Sequence, residues 1–489
     1  MTLSHRILSQ SSLILAIDQG GQSSRVAIYS GSGELLYCFA SDCATQINAV
    51  ENSAKNFIEQ NGEDILAGIC GSLEKLQAVL NHRVRDIYAA GFAGQGSSLL
   101  CWNKHTGKAL TPVLSWQDIR GEDYLKNFPL CHEQLQALTG LRISPHYGAS
   151  KMRWCIDHYP EVAAALGNNS LSIGPIVSYI FYHLLQLGSR VDPGHAQRSL
   201  LWNLSDNGWD KSLLEYFDIA TAVLPTCLYH NSHFGDLALG DYKIPFTASA
   251  RDQGASLFAR GLPEKDACYI NIGTGAFIQR VSENLQAPQG LLVSPLWLPE
   301  KSTDKKLYAW EATVNGAASA LHYLQQETGL AVTPEDINRA LSLNPAKNCY
   351  LLNAIGGLSA PYWRTDLRTQ FSQDLSPDEK ILAWLESVIF QILVNVQLMN
   401  APGTAHKIYI SGGLSNADLL CQKIADLCNI PVYRSDNSDA TLQGIACMAA
   451  GIPASWQPPI KDEVFSPQPN RATQLRFNVW YEEMIKWLQ

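Results

Sequence analysis

Apolar and polar positions fall into blocks near the start of the chain. "LAI" (15–17) and "VAIYS" (26–30) are β-forming runs around a polar stretch from Asp18 to Arg25. A tight hairpin needs only two turn residues, typically Asn-Gly or Asp-Gly. Here an acid, Gly20-Gly21, two serines and an arginine stand between the runs. The glycines offer positive φ and close approach of bare backbone, and a ligand is one reason to need them. The same grammar returns in "ACYINIGTGAFIQRV" (267–281), with Gly273-Thr274-Gly275 between two β-rich runs. The two turns lie about half the chain apart, too far for a solenoid array and right for two related domains. In "KIYISGGLSNADLLCQKIADLC" (407–428) a short strand runs through Gly412-Gly413 into a helix with apolar Leu419, Leu420, Ile424 and Leu427. Ser415 or Asn416 is its candidate cap. Strand, glycine turn and helix start aim backbone N–H groups at one spot, which favours a phosphate. None of the three is a P-loop or a dinucleotide fingerprint. Singly, each reads as an ordinary connection; together they point to nucleotide phosphates held by two domains.

Composition narrows the class. A chain of 489 residues exceeds one ordinary core, so two large domains are expected. The hydrophobic fraction of 46% and charged fraction of 17% describe a globular protein with a large interior. A net charge of −9, with no Lys/Arg-rich run, argues against a nucleic-acid partner. The 12 cysteines contain no C-x-x-C pair and suit reduced core thiols. The first residues lack a signal-peptide pattern, and no apolar stretch approaches the ~20 residues of a membrane span. The expectation is a cytoplasmic protein with no membrane partner.

Further segments carry a family resemblance. "IDQGGQSSR" resembles the first phosphate turn of FGGY carbohydrate kinases, which glycerol kinases write Asp-Gln-Gly-Thr-Thr-Ser-Ser-Arg. "NIGTGAF" resembles the second phosphate turn, and "SARDQGASLFARG" the Gly-Asp-Gln segment with the catalytic aspartate. "ISGGLSNADLLCQKIAD" followed by "DATLQGIACMAAG" resembles the adenosine segment and its closing helix. "TGLRISPHYGASKMRW", "WDKSLLEYFDIATAVLP" and "GLSAPYWRTDLR" are like intervening family segments, in family order, so the resemblance covers about residues 13–451. It implies α/β architecture with two ribonuclease-H-like domains, as in actin, hexokinase and Hsp70. A sugar-binding domain over 1–245 and an ATP-binding domain over 246–489 are expected to close on a cleft.

The resemblance also implies roles. Asp252 matches the base that accepts the acceptor hydroxyl's proton, and Gln253 holds the neighbouring hydroxyl. Phosphoryl transfer otherwise needs positioning and charge neutralisation. Asp18 matches the water-mediated ligand of magnesium. Gly20, Gly21, Gln22, Ser23 and Arg25 line the β/γ-phosphates of ATP, with Gly273, Thr274 and Gly275. Gly316, Gly412, Gly413 and Ala417 line the nucleotide. Two positions depart from the pattern. Gly21-Gln22 replaces a threonine hydroxyl, leaving Gln22 and Ser23 to compensate. Arg251 stands where the family keeps glycine; it can act on Asp252 or the transferred phosphate, or turn away into a salt bridge.

Substrate signals are mixed. Glycerol kinases carry Asn-Gln-Arg-Glu-Thr where this chain reads "GQGSS", so their hydroxyl-gripping Arg-Glu pair becomes Gly96-Ser97. Their sugar-site tyrosine falls on His146. Xylulokinases write Gly-Gln-Met-His-Gly there and Trp-Asn-Asp-x-Arg later; this chain keeps Gln95, Trp116, Asp118 and Arg120. The expected substrate-binding set is therefore Gln95, Ser97, Trp116, Asp118, His146, Asp252 and Gln253. Small residues at 96–98 suggest a ligand larger than glycerol, a pentulose such as xylulose. A glycerol kinase with an altered pocket and a diverged sugar- and nucleotide-binding protein with little catalysis stay open. So does homodimerisation.

Overall fold

The computed structural model describes residues 8–9, 11–49, 56–301, 304–401, 403–437 and 439–489. The chain forms two compact units. The first comprises Met1–Pro263, Ser294–Tyr308 and Asp439–Pro459; the second comprises Glu264–Val293, Ala309–Ser438 and Ile460–Gln489. Residue 246, the expected junction, lies inside a strand of the first unit. The segment "DATLQGIACMAAG", expected in the nucleotide domain, returns to the first unit.

The main sheet of the first unit contains β1 (Leu13–Gln19), β2 (Ser23–Ser30), β3 (Leu35–Asp42), β4 (Ile87–Gly94), β5 (Gly235–Leu239) and β6 (Tyr242–Arg251), in the order β5-β6-β4-β1-β2-β3. β1 runs antiparallel to β2 and parallel to β4, which runs parallel to β6. Every residue of β1 is buried, as suits an apolar strand covered on both faces. The helix Gly62–Leu80 buries Ile65, Ile69, Leu73, Leu76 and Leu80, one stripe at helical spacing. Asn61 caps it by accepting from the Glu63 and Asp64 amides. These side chains join Leu15, Ile17, Val26, Ile28, Phe92 and Phe246 in a single core.

The second unit repeats the pattern. Its seven-stranded sheet contains β7 (Ala267–Ile272), β8 (Ala276–Ser282), β9 (Leu292–Trp297), β10 (Leu307–Val314), β11 (Lys407–Ser411), β12 (Val432–Ser435) and β13 (Asp462–Phe465), in the order β9-β10-β8-β7-β11-β12-β13; β7, β8, β11, β12 and β13 lie wholly in this unit. β7 pairs antiparallel with β8 and parallel with β11, which pairs parallel with β12. Each unit thus has a mixed sheet opening on a glycine-turned hairpin, the ribonuclease-H-like arrangement that the family resemblance implied.

One helix corrects a sequence expectation. Pro377–Asn400 is long and apolar enough to cross a membrane, but 83% of its apolar window is buried inside the fold. Its Glu386 accepts from Lys423 Nζ at 3.0 Å and from Arg476 Nε at 2.7 Å, so even its acid is spent on packing. The cysteines are free thiols.

In the first unit the helix Ala440–Ala449 is seated by two glycines. A Cβ at Gly444 would stand 1.8 Å from the Ala255 carbonyl oxygen, and one at Gly91 of β4 would stand 2.8 Å from the Ile445 carbonyl. Backbone therefore touches backbone at both points. Gly444→Ala should force this helix off its seat and cost about 3 kcal/mol, the upper range for overpacking. Gly71→Ala, in a helix with open space around the new methyl, should instead be neutral or stabilising. Thermal unfolding of the two variants checks the contrast; equal melting temperatures would contradict it.

Candidate functional site

The first hairpin turns at Gly20–Gln22, where the Gly20 amide donates to the Ser23 carbonyl at 2.9 Å. Neither Gly20 nor Gly21 has positive φ, contrary to expectation. Their use is absence of bulk: a Cβ on Gly21 would meet nothing within 4 Å, so its side of the turn is open. Behind it, the Gly21 carbonyl accepts from Gln60 Nε2 at 2.8 Å and Thr45 Oγ1 at 3.0 Å. Gln22 is exposed and Ser23 half-buried.

Arg25, opposite Asp18 in the β1–β2 register, donates to Asp18 Oδ2 at 2.5 Å and also to Asp439. Burial pushes the Asp18 carboxyl up to about 6, with like charge from Asp252 and Asp439 adding and Arg25 opposing. No cluster of three or more His, Cys, Asp or Glu side chains forms a metal cage among the described residues. Magnesium needs no such cage, since it keeps most of its water on one or two carboxylates. Asp18 fits that donor role: a divalent cation would stabilise the ionised carboxylate that burial disfavours.

Asp252 follows directly on β6, whose last residue, Arg251, pairs with Gly94 at the end of β4. Burial raises the Asp252 carboxyl above its ordinary range; the Gln253 amide, Arg251, His195 and Arg198 oppose that shift. Two of these cations flank the Gly96 backbone. A Cβ on Gly96 would lie 3.2 Å from Arg251 Cδ and 3.3 Å from Arg198 Cγ. The room expected from small residues at 96–98 is thus taken at Gly96 by two arginine stems.

The expected substrate residues separate into two groups. Ser97 is half-buried with φ 65°, an uncommon backbone region for serine. Trp116 is 41% exposed, and its ring centroid lies 6.5 Å from that of exposed His146. His146 Nδ1 donates to the Trp116 carbonyl at 3.1 Å, which fixes the pair. Asp118 is different. Its carboxylate is fully buried, accepting from Arg120 Nε at 2.9 Å, Arg120 Nη2 at 2.7 Å and the Ile58 amide at 2.7 Å. Arg120 in turn lies over the Phe57 ring at 3.9 Å. Asp118 is a packing ion pair, because all its visible bonds go to the protein interior. Gln95 is likewise committed, donating to Gln60 at 2.8 Å and accepting from Ser98 at 2.9 Å.

In the second unit three glycine segments meet at the carboxyl ends of the parallel strands β7 and β11. The Ala318 and Ser319 amides donate to the Gly273 and Thr274 carbonyls at 3.2 and 2.9 Å. A Cβ on Gly275 would stand 2.9 Å from the Val314 carbonyl, and one on Gly412 (φ 95°) 2.5 Å from that of Ile272. Gly316 (φ 69°) is pinned by Asn353 and Trp384, which donate to its carbonyl. Gly413 faces open space. Ligands favour this end of parallel strands. The helix begins later than expected, at Asp418, after a short turn over Gly413–Asn416. Its N-cap is Ala417, and Ser415 Oγ instead donates to the Gly412 carbonyl at 2.7 Å. Leu420, Ile424 and Leu427 face inward, whereas Leu419 is 40% exposed.

Comparison with known proteins decides the family. The N-terminal domain of the FGGY family of carbohydrate kinases matches residues 13–259, and its C-terminal domain matches 268–451. The chain belongs to the FGGY family of carbohydrate kinases. It is an ATP-dependent phosphotransferase with an alcohol group as acceptor. The glycerol kinase of Acinetobacter baylyi is 29% identical over 482 residues, covering 94% of this chain and 95% of that protein. That of Nitrosomonas eutropha is 30% identical over 457 residues, 89% of each. In fold, the kinase resembles Plasmodium falciparum glycerol kinase with ADP (TM-score 0.85, 21% identity, 98% of this chain and 99% of that one). It also resembles xylulose kinase from Lactobacillus acidophilus (TM-score 0.81, 20% identity, 97% and 98%).

Two features of this FGGY kinase escaped sequence reasoning. Arg198 had no motif of its own. Lys151 lies in an ordinary-looking helix, yet it is fully buried and donates to the Ser97 and Ser115 carbonyls at 2.8 and 2.9 Å. Burial pulls its ammonium down to about 7 from the usual 10.5, with Asp118 opposing. A neutral amine has two N–H groups, matching the two carbonyls. Through that window the unfolded chain binds the proton that the folded chain releases, so this residue's stability contribution rises with pH. The slope is at most about 1.4 kcal/mol per pH unit. Urea midpoints between pH 7 and 9 should therefore rise less steeply for Lys151→Met than for wild type. Parallel slopes would show that the buried lysine keeps its proton.

Proposed function

We propose that this kinase phosphorylates a hydroxyl of a pentulose such as xylulose, with Asp252 as general base. The observation that carries the reading is the Asp252 carboxylate, placed one residue beyond the Gly94–Arg251 strand pair and surrounded by cations. A sugar hydroxyl is a poor nucleophile, so its proton passes to the Asp252 carboxylate as its oxygen attacks the γ-phosphorus of ATP. Gln253 holds the neighbouring hydroxyl. In the first unit the backbone of Gly20–Ser23 is the phosphate-binding turn; in the second unit the backbone of Gly273–Gly275 has that role, with Gly316, Gly412, Gly413 and Ala417 along the nucleotide. Magnesium, when bound through water to Asp18, supplies charge that offsets repulsion between the phosphates.

The substrate class follows from an exchange of positions. The guanidinium that glycerol kinases keep at position 96 is absent, but Arg251 packs its stem against Gly96 from the adjoining strand. The acidic partner is not replaced, since Ser97 occupies its place. A site that keeps a donor and loses an acceptor suits a ketose carbonyl better than a further hydroxyl. The exposed Trp116 indole, with the His146 ring tilted 47° beside it, supplies an apolar ring face for a sugar ring or chain. Glycerol is the second reading, favoured by the names of the relatives; Arg251 would then simply restore its grip.

An ADP-release assay over glycerol, xylulose, ribulose and ribitol separates these readings. A pentulose should have the highest kcat/KM; glycerol in first place would establish the second reading, and no turnover would favour a binding protein. Asp252→Asn should lower kcat roughly 100- to 10,000-fold with a smaller change in ATP affinity. Near-normal turnover would remove it from the mechanism. Arg251→Gly should raise the sugar KM about 10-fold or more while changing kcat less, the cost of an unpaired substrate oxygen. An unchanged KM would place Arg251 outside the sugar site.

A further inference from the structure

Behind Asp252, still within the first unit, lies a buried charged network that the family resemblance did not assign. Asp192 and His195 are both fully buried, three residues apart across a short helix, Pro193–Gln197. His195 Nδ1 lies 2.5 Å from Asp192 Oδ2, and its Nε2 lies 3.2 Å from the Gly94 carbonyl oxygen. The first partner is a carboxylate that also accepts from Ser249 Oγ at 2.6 Å and the His195 amide at 3.0 Å; the second is a carbonyl. Both can only accept, so both ring nitrogens must donate, which makes the ring an imidazolium.

His230 shows the opposite case on the same carboxylate. Its Nδ1 accepts from the Leu298 amide at 3.0 Å, leaving Nε2 3.9 Å from Asp192 Oδ1. A ring nitrogen that accepts carries no proton, and burial pulls His230 down to about 4. One histidine of the pair is therefore charged and the other neutral, as their second partners require.

The network fastens the two strand ends that carry the site. Gly94 ends β4, and Ser249 of β6 donates to Asp192 Oδ2 at 2.6 Å, two residues before Arg251. Asp192, His230 and Asp252 interact electrostatically with His195, and Arg251 and Arg198 act alongside it on Asp252. We propose that His195 is a positioning residue for this kinase: a buried imidazolium, fixed by Asp192 and the Gly94 carbonyl, that holds the ends of β4 and β6 together beside Asp252. The proposal rests on the reading of Asp252 as base. Its cationic influence on Asp252 has the required sign, acting beside Arg251 and Arg198 against desolvation.

Two measurements test it. In wild-type kinase labelled with ¹⁵N-histidine, exposed rings are neutral at pH 8, so an imidazolium signal surviving there is the expected signature. Its absence would overturn the proposal, whatever the variants do. Second, His195→Asn removes the charge while keeping one donor. Losing a nearby cation makes Asp252 harder to ionise, so the acid limb of kcat/KM should move to higher pH by on the order of one unit. Activity on the acid side should fall about 10-fold and recover as pH rises. Ser249→Ala, which loosens the network but keeps the charge, should lower thermal stability without moving the limb. A folded His195→Asn kinase with an unmoved acid limb overturns the proposal. If instead Asp252→Asn keeps its turnover while the imidazolium signal persists, the assignment of the base has failed, not the charge on His195.

Discussion

Close backbone packing of the helix Ala440–Ala449 is the constraint on which the first unit's site depends. Glycine at 444 and at 91 lets this helix rest directly on the Ala255 carbonyl and on β4, where any side chain would collide. Seated there, it does two things at once. Its leading residue, Asp439, reaches Arg25 and so helps aim that guanidinium at Asp18. Its contact with Ala255 also supports the short helix that begins at Asp252. Residues far apart in sequence thus meet because two glycines permit a separation that no larger residue allows.

Burial raises both acids of the first unit's site, Asp18 and Asp252, but their charged neighbours differ. Around Asp18, two carboxylates, Asp18 and Asp439, share the Arg25 guanidinium, and burial leaves Asp18 inclined to hold its proton. Around Asp252, Arg251, Arg198 and His195 oppose the same desolvation. Nearby cations favour the ionised form of a carboxylate, whereas like charges beside it favour the protonated form unless a cation is added. Similar residues at the ends of neighbouring strands are given different chemistry by their surroundings.

The pocket lining shows how a family scaffold absorbs substitutions. Arg251 looked like an anomaly beside the base and Gly96 like a loss in the loop. In three dimensions the two changes face each other, and the arginine stem occupies the space above the glycine. Asp118 and Arg120 went the other way. Their spacing resembled a sugar-binding signature, yet they form a buried pair against Phe57 and Ile58. Motif identity did not reveal this, because burial of a carboxylate depends on what the rest of the chain places over it.

Local chemistry was legible from the sequence alone. The glycine-turned hairpins at 20–21 and 273–275 and the two-domain plan follow from apolar runs, turn residues and their repeat; the α/β architecture and the family came from the resemblance of whole segments in order. These are short-range properties, set by backbone sterics and strand periodicity. The sequence also marked Asp252, Asp18 and the Gly412 turn as candidates. Tertiary structure alone decided that Ala440–Ala449 belongs with the first unit, that Lys151 is buried under the Ser97 loop, and that Asp118 is spent on packing. It alone brought Asp192 and His195 behind the strand end that precedes Asp252. Those outcomes depend on desolvation and on contacts between segments hundreds of residues apart, and neither is encoded in the spacing of neighbouring residues.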